Sequence, residues 1–228
     1  MTKQKEHKEQ LNVEEALTKS EAFIIKNKKS ILATVAVLVL LTAGVLIYNN
    51  FYAKPRQHKA QIALIKGQQY FEQGNYEYVL NGDSIGFNGL EAEVINKYGN
   101  TKAGNLAHAY IGISNAKLGN FEAAVKSLEK FNAKDVMVAP AILAATGNCY
   151  AELGKFDKAS DLLMQAANKA DNNTLSPIFL LQAGELLIKQ DKADAALKAY
   201  TQIKEKYSNS YQAMDIEKYI ERAKSLKK

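Results

Sequence analysis

Cysteine occurs once in this chain, at Cys149, so no intramolecular disulfide can form. Histidine occurs three times, at His7, His58 and His108, and these sit too far apart in sequence to offer a metal-ligand spacing with Cys149 or any carboxylate pair. No Ser–His–Asp arrangement can be inferred, and the Gly-rich stretch near residue 85 lacks the lysine of a phosphate loop. Catalysis, cofactors and a small-molecule substrate are therefore not expected. The net charge is +6, but the basic residues are spread out and not interleaved with aromatics, which argues against nucleic acid. Tryptophan is absent and there are only three prolines, while alanine is abundant. That balance suits close-packed helices, and an all-α fold is expected.

What the chain does have is one long apolar run, Ile31 to Tyr48, without a charged residue. As a helix it spans about 27 Å, and extension through Tyr52 reaches the roughly 30 Å of a bilayer core. In hydrocarbon the backbone must satisfy its own N–H and C=O groups, so such a run crosses as a helix. It exceeds the h-region of about 7–15 residues found in cleaved signal peptides, which predicts an uncleaved signal anchor over residues 31–52. Lys3, Lys5, Lys8, Lys19, Lys26, Lys28 and Lys29 precede it, against Lys54, Arg56 and Lys59 after it. The positive-inside rule then places residues 1–30 in the cytoplasm and residues 53–228 outside it, in the periplasm of a bacterium, with the span in the inner membrane. Phe51 and Tyr52 fit an aromatic belt on the far side.

Within the tail, Met1 to Gln10 reads as disordered. Asn12 followed by Glu15 resembles a capping box, and Val13, Ala16, Leu17, Ser20, Phe23 and Ile24 recur on one helical face. This is either an interfacial or partner-docking helix or a solvated positive flank that sets topology.

Beyond the run the chain repeats. Gly112, Lys117-Leu118-Gly119-Asn120-Phe121 and Ala124 return 35 residues later as Gly147, Glu152-Leu153-Gly154-Lys155-Phe156 and Ala159. A third block, Gly184, Lys189-Gln190-Asp191-Lys192-Ala193 and Ala196, lacks the turn glycine and the aromatic. An earlier one, Gly67, Glu72-Gln73-Gly74-Asn75-Tyr76 and Val79, precedes its successor by 45 residues, so Leu80 to Leu90 contains an insertion. A small residue in a first helix allows close approach of a second, and Gly with a short polar partner closes the first in a left-handed cap. Pro140 and Pro177 fit first-turn positions, with Ser176 as a cap, and Thr101 should cap the helix that follows it. Cys149 falls in a first helix and reads as a buried small hydrophobe. Tyr211 to Ser225 reads as an amphipathic helix that covers the last apolar face, ahead of Lys227-Lys228.

These units resemble the tetratricopeptide repeat (TPR), an α-helical hairpin solenoid of about 34-residue period, over roughly residues 60 to 205. The resemblance implies a groove built from first helices. The outward-facing candidates are Leu64, Gln68, Phe71, Leu106, Ala109, Ile113, Ala144, Asn148, Ala151, Leu181, Glu185 and Ile188. They make a small apolar groove suited to an amphipathic helix or an extended peptide, without the Lys/Asn/Arg set that clamps a C-terminal carboxylate. The alternative is that several simply pack on the next unit.

Tail, single anchor and exported array in this order resemble the YfgM-like ancillary subunit family of the SecYEG translocon. The most specific local pieces are Asn12 to Leu17 and Thr101 to Ala107. The resemblance implies a non-catalytic membrane protein beside translocon subunits and a periplasmic chaperone, helping client polypeptides. A structural scaffold for another envelope complex is the alternative, because TPR arrays serve many partners.

Overall fold

A computed structural model describes the backbone of residues 2–226 and the side chains of residues 21–226. Among the described residues all regular structure is helical. The chain divides into two compact units, Met1–Pro55 and Arg56–Lys228.

The first unit is helix α1 (Thr2–Tyr48) followed by a π-helical turn, Asn49–Ala53. Helix starts at Thr2, so the charged stretch expected to be disordered is helical instead. Lys, Gln and Glu lose little rotamer freedom in a helix and extend one already nucleated. Met1 lies outside the described residues, as do the side chains of the proposed apolar face from Val13 to Ser20. From residue 31 to Tyr48 the apolar side chains are exposed, Leu32 by 69% and Leu40 by 71%. The two threonine hydroxyls of this run are satisfied inside the helix: Thr34 Oγ1 donates to Ser30 O at 2.9 Å and Thr42 Oγ1 to Leu38 O at 2.8 Å. The Tyr48 and Tyr52 rings lie 5.3 Å apart. α1 is long and apolar enough to cross a membrane.

The second unit is four helical hairpins and a terminal helix. The hairpins are α2 (Lys54–Glu72) with α3 (Tyr76–Asn81), α5 (Lys102–Lys117) with α6 (Phe121–Leu128), α7 (Val138–Glu152) with α8 (Phe156–Ala170), and α9 (Ser176–Lys189) with α10 (Ala193–Lys206). A π-helical segment, Glu91–Ile95, and a helical turn α4 (Asn96–Tyr98) separate the first pair from the second. A 3-10 turn, Tyr211–Asp215, leads into α11 (Ile216–Ser225). Lys227 and Lys228 lie outside the described residues.

Glycines in the first helices allow close approach of what packs on them. A Cβ on Gly112 would stand 2.5 Å from Leu128 Cγ; on Gly67 it would clash with Leu90, and on Gly184 with the Tyr200 ring. In the last three hairpins the large residue, Leu128, Leu163 or Tyr200, lies 16 positions after the glycine; in the first, Leu90 lies 23 after it. The insert therefore loops out after α3, and the chain returns in time to seat Leu90 where a continuous second helix would have put its own side chain. Asp83 holds that loop. Its Oδ1 accepts from Ile85 N at 2.9 Å and Phe87 N at 3.0 Å. Its Oδ2 accepts from the Tyr70 hydroxyl and lies 3.3 Å from Lys66 Nζ.

The interior turns follow the pattern: Gly74, Gly119 and Gly154 take φ of +76°, +80° and +71°. In the last hairpin Asp191 takes the same conformation at +58°, so the turn forms without its glycine. Thr101 caps α5, its Oγ1 accepting from Gly104 N at 3.0 Å. Ser176 does not act as the expected cap. Its Oγ donates to Ala167 O of α8 at 2.7 Å, and Asn172 Oδ1 accepts from Thr174 N and Leu175 N instead. Ser176 is fully buried, and a buried hydroxyl takes the nearest strong acceptor.

The junctions between hairpins form one edge of this unit, tied rung by rung. Arg56 donates to Lys97 O at 2.6 Å, and Lys102 N to Gln57 Oε1 at 3.1 Å. Asn105 and Asn132 exchange two bonds at 2.8 Å. Lys169 donates to Ala133 O at 3.0 Å, and the Tyr207 hydroxyl to Asp171 Oδ1 at 3.0 Å. The core lies between successive hairpins and ends on α11, whose Ile216, Ile220 and Ala223 are buried with Tyr200, Ile203 and Tyr207 of the last hairpin region.

Candidate functional site

The candidate surface is the exposed side of the first helices, α2, α5, α7 and α9. Helical period sets which residues reach it. Counting from each hairpin glycine, the positions six and two before it and one and five after it fall on one face. In α7 these are Ala141, Ala145, Asn148 and Glu152, and in α9 Ile178, Gln182, Glu185 and Lys189; all eight are exposed or half-buried. In α5 they are Leu106, Tyr110, Ile113 and Lys117, and in α2 Gln61, Ile65, Gln68 and Glu72, again exposed or half-buried.

Of the twelve residues proposed from sequence, Gln68, Leu106, Ile113, Asn148 and Glu185 stand on this face. Leu64, Ala109 and Ala144 do not point outward. They are 3–4% exposed and belong to the core between hairpins. They sit three positions before the glycine, one residue or about 100° away from the exposed position two before it. Leu181 occupies the same position in α9 and is half-buried, because only the terminal elements remain to cover it. Phe71, Ala151 and Ile188, four after the glycine, are half-buried and border the face.

Tyr110 was missed and is central. Its ring meets Phe71 at 4.8 Å, and Phe71 meets Tyr76 at 5.7 Å, both edge-on. Burial, aided by the nearby Glu72 carboxylate, pushes the Tyr110 hydroxyl pKa up. Gln182 was missed as well. Its Oε1 is buried and has no hydrogen-bond partner among the described residues. Both lie on the spacing of 4, 3 and 4 residues counted from the glycine, not on the apolar pattern.

The face is graded in character. Tyr110, Ile113 and Leu106 make its α5 section aromatic and aliphatic, and α7 contributes small Ala141 and Ala145. Glu185 and Lys189 make the α9 section charged. Elsewhere, Cys149 is buried in the core and burial raises its thiol pKa. Lys158 pairs with Glu129 at 3.1 Å and with the Tyr150 hydroxyl, tying α8 to the end of α6. A cleft lined by Phe131, Asn132, Ile142, Thr146 and Lys169 is open to solvent, and the Lys169 ammonium is already bonded to Ala133 O. Among the described residues no group of three or more His, Cys, Asp and Glu could hold a metal.

The tetratricopeptide repeat family pattern matches residues 179–210, which is the body of α9, α10 and the turn after it. No curated protein matches the chain significantly. A TPR unit in an all-helical array points to a role in binding proteins.

Proposed function

We propose that this protein is a membrane-anchored, non-catalytic adaptor. α1 would cross the inner membrane, residues 1–30 would stay in the cytoplasm, and the hairpin array would bind polypeptide segments in the periplasm. The observation that carries this is the pairing, in one chain, of a helix with apolar side chains exposed all round and a hairpin array with an unfilled stripe on its first helices. An uncovered apolar helix of this length suits a lipid surrounding. A stripe with one aromatic cluster suits an amphipathic helix or an extended peptide.

The likeness in layout to the YfgM-like family supports a place beside translocon subunits and a periplasmic chaperone, acting on emerging client chains. Photo-crosslinkers placed at Tyr110 and Ile113, followed by detergent co-purification, test this. Translocon subunits should be recovered with crosslinked clients. Recovery of another envelope complex, with no translocon subunit, would move the protein to a scaffold role.

A further inference from the structure

We propose that the junction edge of the second unit rests on the surface of an anionic bilayer. Successive first helices begin along this edge, and corresponding positions line up on it: Gln57, Lys102, Met137, Thr174 and Tyr211. Its first rungs, residues 56–59 and 96–102, carry Arg56, Lys59, Lys97 and Lys102, of which Lys97 is paired with Glu93 at 2.7 Å. Its later rungs carry large apolar side chains with no cover. Val136 is 57% exposed, Met137 50%, Tyr211 80% and Met214 79%.

The acids of the later rungs are occupied within the edge. Asp135 accepts from Met137 N at 2.9 Å and Val138 N, Asp171 pairs with Lys206 at 2.6 Å, and Asp215 pairs with Lys218 at 3.2 Å. The edge so offers cations to headgroups and aliphatic or aromatic groups to the acyl boundary, the combination that holds proteins at a lipid interface. A lipid occupant is favoured over a protein because in sequence Arg56 follows the aromatic pair Phe51-Tyr52 of the proposed span within four residues. To that extent the proposal rests on the anchoring reading.

The test uses the full chain in vesicles of phosphatidylglycerol and phosphatidylcholine, in a Cys149→Ala background. Single cysteines at Met137→Cys, Met214→Cys, Asn75→Cys on the opposite edge, and Leu40→Cys in α1 carry an environment-sensitive dye. Nitroxides on headgroups and at mid-chain report depth. The expected result is headgroup quenching at 137 and 214, absent at 75, and lost in high salt or with Lys59→Glu and Lys102→Glu combined. Equal signals at 137, 214 and 75 overturn the proposal, whatever residue 40 shows. A blue shift at 137 and 214 without nitroxide quenching means protein covers the edge, and overturns it too. Mid-chain quenching at residue 40 reports separately on the anchor, so the two readings fail independently.

Discussion

At the scale of single residues, backbone conformation and close approach decide what is tolerated. A methyl group on Gly184 would collide with the Tyr200 ring, which is itself fully buried and cannot swing aside. Gly184→Ala should cost about 1–3 kcal/mol by overpacking. A shift of the urea midpoint without a change in slope would show it. Asp191 presents the opposite case. A non-glycine residue at φ +58° is strained by about 1–2 kcal/mol, partly offset by the greater freedom glycine has when unfolded. Asp191→Gly should therefore stabilise by up to about 1 kcal/mol, seen as a higher urea midpoint. Asp83 gives a pH signature. The Tyr70 hydroxyl, first, then the Phe87 and Ile85 N–H groups and Lys66, hold its carboxyl well below the usual carboxylate range. A depressed native pKa means its contribution is complete above the ordinary Asp value of about 4, and is lost as pH falls below that toward the native pKa. Asp83→Asn should flatten the acid limb of a stability–pH curve below about pH 4, and an unchanged limb would count against this account of the loop.

At the scale of elements, the hairpins could be read directly from the sequence where a glycine marks a requirement. Gly74, Gly119 and Gly154 announced their turns because only φ > 0 closes them cheaply, and Thr101 announced α5 because its hydroxyl meets an orphan N–H. Thr101→Ala should lower stability by about 1 kcal/mol in thermal or urea unfolding. The insert was less legible. Nothing local says that Leu90, beyond a loop, replaces a second-helix residue against Gly67. Ser176 misled because a serine before a Pro looks like a cap, whereas its buried hydroxyl faces Ala167 O, a partner nine residues back. α11 behaves as a lid on the array. A chain ending at Asn209 would expose Tyr200, Ile203 and Tyr207, and should bind a hydrophobic dye and lose cooperativity in its last hairpin.

At the scale of the whole molecule, the two units differ in where their apolar side chains lie. α1 shows apolar side chains around its full circumference, while the array hides its own between hairpins. Protease added to intact spheroplasts should remove the chain beyond Tyr52 and leave a fragment that resists carbonate extraction. Survival of the array until lysis would sink the exported topology. The exposed face of the first helices is the part least visible beforehand. A candidate set spaced on the apolar rhythm of each first helix placed Leu64, Ala109 and Ala144 on the outside, yet each packs against a neighbouring hairpin. Tyr110 and Gln182, on that exposed face, went unnoticed because a helix has several half-apolar faces and its sequence does not say which neighbour covers which.

The amino-acid order alone settled what each segment is: an apolar helix, then hairpins paired through a glycine and closed by a left-handed turn. Those are local matters, governed by side-chain size, backbone freedom and solvent preference within a few residues. Which side chains remain outside, and which edge gathers lysines and bare methionines, was decided only when the hairpins stacked. Burial is a property of the partner as much as of the residue, and the partner lies dozens of positions away in the chain.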